Sequence, residues 1–261
     1  MRRTMSVARD PACGWHQCGD AVTRRPRPPG AGLPTIGAGL TRRETWAMAI
    51  GFLHTAEVHT STFRELMDEI APGRPSTHVV DEGLLTDARD RGGVDDELTG
   101  RLALRLQEAA SGASVVVCTC STIGGAAERL SSVVGVPVIR VDRPMAELAV
   151  TSGPRIAVVA ALESTVAPTV ALLLDVARQH RRTPSIDEIV LVEAWSLFEH
   201  GDLTGYATTI ASAVDRLDPS TDVVVLAQAS MACAVPHCRS TTPVLSSPRS
   251  AVEAAVRLAG R

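Results

Sequence analysis

The sequence predicts an α/β protein made of two similar three-layer α/β domains. Each has a mostly parallel sheet, and the two face one another, pseudo-twofold related, across a cleft. Three observations carry this prediction. Short aliphatic runs alternate with amphipathic stretches, with no hairpin signals between them, the pattern of parallel strands joined by crossover helices. The pattern also repeats. Val115-Val-Val-Cys returns as Val223-Val-Val-Leu, and Pro137-Val-Ile as Pro243-Val-Leu, at offsets of about 104–108 residues. Finally, aromatic residues are only 3% of the 261 residues while hydrophobic ones are 45%, so the core is aliphatic. Strands buried on both faces read as aliphatic runs of this kind.

Residues 1–47 are rich in Arg, Pro and Gly, as in RRPRPPGAGLP. Such a segment forms neither a helix nor a central strand and is expected to be a disordered extension. The regular pattern starts at Ile50–Thr55, a strand. A helix over Ser61–Ile70 and a short strand over Thr77–Asp81 follow. Asp95–Ala110 is an amphipathic helix with Leu98, Leu102, Leu104 and Leu106 on or near one face. Val115–Cys118 is a buried strand, Gly125–Val134 a helix, Pro137–Val141 a strand and Met145–Val150 a helix. The second half restarts with a strand from Ile156 and continues with a helix over Pro168–His180. Then come a strand over Glu188–Glu193, a helix over Tyr206–Leu217, strands at Val223 and Pro243, and a last helix over Arg249–Leu258. Residues 48–145 with 246–261 are expected to form the first domain, and residues 146–245 the second.

Composition removes several kinds of chemistry. The sequence contains no lysine, so it can form no pyridoxal Schiff base and no lysine-bearing phosphate loop. No GxGxxG follows a strand, and cysteines and histidines lack clean metal-ligand spacing. No cofactor or metal is therefore expected. The formal net charge is −3 and the basic run Arg24-Arg25-Pro26-Arg27 is local, so a nucleic-acid partner is not expected. The apolar region Ile156–Ala177 is interrupted by Glu163, Pro168 and Asp175, which argues against a membrane span. No secretory signal stands at the start, and the closely paired cysteines suit a reducing, cytoplasmic setting.

The stretch VVVCTCSTIGG, Val115–Gly125, places Cys120 where a buried strand ends and a helix begins. Its duplicate puts Gln228 over Cys120, Ala229 over Ser121 and Ser230 over Thr122. Each half thus supplies a small polar turn at a helix start, where free backbone N–H groups suit a carboxylate. A helix start also favours the thiolate form of a sulfur placed there. Cys120 could act as base, acid or nucleophile, or could simply be a small buried thiol. Glu57 and Glu163, matched acids beyond the first strand of each half, read either as paired acids or as solvated loop charges.

Two α/β halves with the turns CSTIGG and LAQAS, the latter followed by a Pro-Val-Leu strand, resemble the aspartate/glutamate racemase superfamily. The resemblance covers residues 48–261. It implies cofactor-independent racemase or isomerase chemistry at the α-carbon of an amino acid or related small carboxylate. Cys120 would be the proton-transfer group, and a homodimer is implied as well. In such racemases a cysteine works from each side of the cleft, and Gln228 occupies the second position here. The missing group leaves three alternatives: Cys233, His54 at the end of the first strand, or chemistry with one thiol as in the superfamily's decarboxylases. Gln228 could donate to developing oxyanion charge. The resemblance also assigns substrate binding to a hydroxyl after the second half's first strand, matched by Thr165, which could equally be a helix cap. With Ser121, Thr122, Ala229 and Ser230 it completes the expected carboxylate site. A silent carboxylate-binding protein is the remaining alternative.

Overall fold

The structure, a computed structural model, describes residues 49–260. The expected extension over 1–47 lies outside the described residues. Four strands, β1 (Ala49–His54), β2 (Ser76–Val80), β3 (Ala113–Cys118) and β4 (Val138–Arg140), form a parallel sheet in the order β2-β1-β3-β4. A second sheet, β5 (Arg155–Ala160), β6 (Ser185–Val190), β7 (Val223–Leu226) and β8 (Val244–Leu245), repeats that order as β6-β5-β7-β8, again all parallel. The duplication seen in the residues is thus a duplication of topology. β3 and β7 occupy the same central place in their sheets, so the turns after them leave equivalent strand ends.

The helices of the first half are α1 (Val58–Ile70), α2 (Gly83–Asp90), α3 (Asp96–Ala109), α4 (Ser121–Arg129), the single turn α5 (Ser131–Val134) and α6 (Arg143–Ser152). In the second half a 3-10 turn (Glu163–Thr165) leads into α7 (Val166–Gln179). Then come α8 (Val192–Glu199), α9 (Leu203–Val214), a 3-10 segment (Ala229–His237) and α10 (Ser247–Ala259). Leu98, Leu102 and Leu106 bury one face of α3 under the first sheet. Leu104 does not join them and is 67% exposed, because six residues at about 100° per residue carry it round the helix from Leu98. On the other face of that sheet, α10 returns to pack Ala251, Val252 and Ala255 against Ile50, Phe52 and Val115. Helix α6 instead packs Met145, Ala149 and Val150 with Ile156 and Val158 of the second half. Among the described residues no helix is long and apolar enough to cross a membrane.

Three expectations need correction. The strand expected over Glu188–Glu193 is Ser185–Val190. The chain then turns into α8, whose Ala194, Trp195, Leu197 and Phe198 pack with α9 at helical spacing. The same kind of helix, α2, follows β2 in the first half, where no element was expected. The helix expected from Gly125 begins at Ser121, directly after Cys120, and is interrupted at Leu130.

Gly124 and Gly125 do not break α4, because their missing side chains make room for a buried arginine. A Cβ on Gly124 would lie 3.0 Å from the Cβ of Arg140. Arg140 ends β4 and forms a two-bond ion pair with fully buried Asp142 (Nε–Oδ1 2.6 Å, Nη2–Oδ2 2.8 Å). Its Nη2 also donates to the carbonyls of Ser121 at 3.4 Å and Pro168 at 3.2 Å. One guanidinium therefore ties β4, the start of α4 and the second half's α7 together. Arg143 adds a partly exposed brace between the same two helices, pairing with Glu128 at 2.5 Å and Asp175 at 3.6 Å.

Removing one member of a buried pair strands the other charge. Arg140→Met should cost about 3–5 kcal/mol in urea unfolding, whereas Arg140→Met with Asp142→Leu should recover most of it. A single-variant loss below about 1 kcal/mol would show that the pair does not hold the halves together.

Candidate active site

The carboxyl ends of β3 and β7 converge on one cavity of about 40 Å³, lined from both halves. Cys120 caps α4 with extended backbone (φ −109°, ψ 117°), and Gln228 precedes the 3-10 segment in nearly the same conformation (φ −112°, ψ 146°). The two matched positions therefore hold equivalent geometry on opposite sides. Both are largely buried, at 7% and 9% exposure, and both line the cavity. Ser121, Thr122, Thr165, Ala229 and Ser230 line it too. Thr122 and Thr165 meet across the halves with their hydroxyls 3.5 Å apart.

Gln228 has a defined orientation. The backbone N–H of Ala161, just past β5, donates to its Oε1 at 3.0 Å. A donor needs an acceptor, so the oxygen faces Ala161 and the Nε2 amide points elsewhere. That Nε2 is buried without a partner, as are Ser121 Oγ and the indole Nε1 of Trp195. All three residues line the cavity that holds Cys120. Ser230, by contrast, is engaged, its Oγ 2.8 Å from the hydroxyl of Tyr206.

His54 does not reach the cavity. It is fully buried on β1, with Nδ1 3.0 Å from Thr119 Oγ1 and Nε2 2.9 Å from His78 Nδ1. Thr119 donates its hydroxyl proton to the Leu53 carbonyl at 3.1 Å, so His54 Nδ1–H donates to Thr119 and Nε2 accepts from His78. Burial first, then the neighbouring His78, His59 and Arg64, push His54 down to about 3. The imidazole thus orients Thr119, the residue before Cys120, from behind the cavity wall.

Cys233 also stays out of the lining. It packs beside Met231 and Ala234 in the second core and donates to the Ser230 carbonyl at 3.2 Å. Cys118 is fully buried, and burial above all pushes its thiol up, so it remains protonated. Glu57 stands at the rim of an adjoining space, whereas Glu163 is exposed and lines neither.

Of the cavity residues not singled out from the sequence, three carry aromatic rings. His59, Trp195 and Phe198 line the site, the first from α1 and the others from α8. Trp195 and Phe198 are spaced i, i+3 in VEAWSLFE, a helical signal shortened because its first two residues, Val192 and Glu193, fell within the expected strand. His59 is buried, and that burial pushes it down to about 4, so it is a neutral imidazole at pH 7. Besides Cys120 it is, among the described residues, the one titratable side chain lining this cavity, and it comes from the same half.

Paired parallel sheets, a cleft built from both halves, and a thiol at the end of the first half's central strand define a class. The chain belongs to the Asp/Glu/Hydantoin racemase family, which it matches over residues 55–255. Solved structures agree in fold. The aspartate racemase of Picrophilus torridus is 14% identical with a TM-score of 0.58, covering 81% of this chain and 94% of that one. A glutamate racemase isoform of Bacillus anthracis is 16% identical with a TM-score of 0.56, covering 80% and 81%. Unliganded arylmalonate decarboxylase is 16% identical with a TM-score of 0.51, covering 81% and 92%. No curated protein sequence matches the chain.

The buried histidines make stability depend on pH. Their folded-state values, about 3 for His54 and about 4 for His59, lie below the unfolded value near 6.5. The stability they contribute is complete above about pH 6.5 and is lost as pH falls toward 4 and then 3, since the unfolded chain takes up protons first. Denaturant unfolding should therefore weaken by about 2 kcal/mol per histidine between pH 7 and pH 5. His59→Leu should flatten the fall, and a pH-independent midpoint over that range would contradict the assignment.

Proposed function

We propose that this protein is a cofactor-independent proton-transfer enzyme of the racemase type. It acts at the α-carbon of an amino acid or related small carboxylate, with Cys120 as acid and base. The observation that carries the reading is the set of partnerless buried donors around the thiol: Ser121 Oγ, Gln228 Nε2 and Trp195 Nε1. A buried donor without an acceptor costs about 1–3 kcal/mol. A site that keeps three beside a reactive group is suited to a ligand that brings acceptors. A carboxylate does so, and as the α-proton leaves it becomes an enediolate with more negative charge on the same oxygens. Donors fixed in advance at that place favour the transition state over the bound substrate.

In this reading the backbone at Ser121, Thr122, Ala229 and Ser230, with the Thr122 and Thr165 hydroxyls, completes the carboxylate cradle. His54 is a positioning residue acting through Thr119. Gln228 serves as an amide donor, since it cannot exchange protons near neutral pH. The thiol then works on one face of the substrate, and inversion requires His59 or water for the other.

A second reading draws support from the same one-sidedness. Loss of carbon dioxide leaves a carbanion that needs only one proton donor, so a decarboxylase can work with Cys120 alone.

Incubation with amino acids and α-substituted malonates in deuterium oxide tests both readings. The racemase type gives α-deuterium incorporation with inversion, and the second reading gives carbon dioxide and product deuterated on one face. Cys120→Ala should lower either rate about 10²–10⁴-fold. Equal rates for native protein and variant would contradict both and leave a binding protein.

A further inference from the structure

The cavity beside Cys120, about 40 Å³, has room for roughly three water-sized groups. That accommodates a carboxylate and the carbon bearing it, and little more. The cavity adjoins a second space of about 460 Å³, sharing Thr55, Ala56, Leu85, Trp195 and Phe198 with it. A carboxylate seated beside Cys120 must therefore extend its α-substituent past these residues into the larger space.

The walls of that space select what fits. α2 and α8, the paired helices that follow β2 and β6, face each other across it and supply Leu85, Trp195 and Phe198. The rings of Trp195 and Phe198 stack at 5.2 Å with an angle of 29°, in a chain with only three of each residue type. The rim carries Glu57, Glu82 and Glu199 against a single Arg89. Arg89 is already engaged, 3.5 Å from Glu199 and 5.7 Å above the Trp195 ring.

We infer that the substrate is a carboxylate whose α-substituent is bulky, uncharged and apolar, best an aryl group, seated against Trp195 and Phe198. Dicarboxylates with a distal acid, of the aspartate and glutamate kind, are disfavoured. The inference rests on the carboxylate reading above and adds the identity of the side chain. The aromatic wall is the main determinant, because a hydrophobic pocket discriminates about 10–200-fold. The acids contribute less, since exposed charges are screened by solvent and salt.

Calorimetric titration with phenylacetate, succinate and acetate tests this without requiring turnover. Phenylacetate should bind at least about ten-fold more tightly than succinate. Trp195→Ala should abolish most of that advantage and Trp195→Phe should retain it. Glu57→Gln with Glu82→Gln should strengthen succinate a few-fold at low salt, an effect lost at high salt. Succinate binding as tightly as phenylacetate to the native protein would overturn the inference and leave the carboxylate reading standing. Silence from all three acids would overturn both.

Discussion

The buried guanidinium of Arg140 fixes the relation between the two halves of the site. It answers the charge of Asp142, takes up the carbonyl of Ser121 beside Cys120, and reaches the carbonyl of Pro168 in the opposite half. Burying a cation is tolerated only when its charge and donors are all answered, and here the answering groups come from three different segments. The constraint reaches back into the sequence. Arg140 can lie across α4 because Gly124 and Gly125 lack side chains there, and a helix that keeps two glycines gives up roughly 1 kcal/mol at each. The glycines of CSTIGG thus serve the packing that sets Cys120 in place.

Within that frame, no arginine, aspartate or glutamate among the described residues lines the cavity that holds Cys120. Its polarity comes from helix starts, hydroxyls, an amide and an indole, and its histidine is held neutral by burial. Such a site favours negative charge through fixed dipoles in a small buried space, where they act more strongly than in bulk water. The halves keep matching backbone at Cys120 and Gln228 but differ in chemistry. One side carries a thiol and the other an amide, which makes the two walls of the cavity chemically unequal.

Much of the architecture was legible because parallel sheets leave a strong imprint. Val115–Cys118 and Val223–Leu226 are buried on both faces, so neither needed a polar alternation to be seen, and their repetition revealed the duplication. Cys120 was singled out by its place at a strand end, and Gln228 by the duplication that sets it over Cys120. What escaped was decided by neighbours distant in sequence. β6 is an edge strand with Asp187 and Glu188 exposed, so its apolar signal was weak and the reading slid into α8, concealing Trp195 and Phe198. His54 looked like a strand-end acid or base. Only the third dimension pairs it with His78 and Thr119 and sets it behind the wall. Leu104 was drawn into the apolar face of α3 by composition, although its angle on the helix turns it to solvent.

The central claim is that the partnerless donors beside Cys120 exist to hold a carboxylate. A crystal structure with a small bound carboxylic acid tests it most directly. The account predicts carboxylate oxygens within about 3.2 Å of Ser121 Oγ and Gln228 Nε2, with the α-carbon against the Cys120 sulfur. A carboxylate bound elsewhere, with those donors still unanswered, would contradict it.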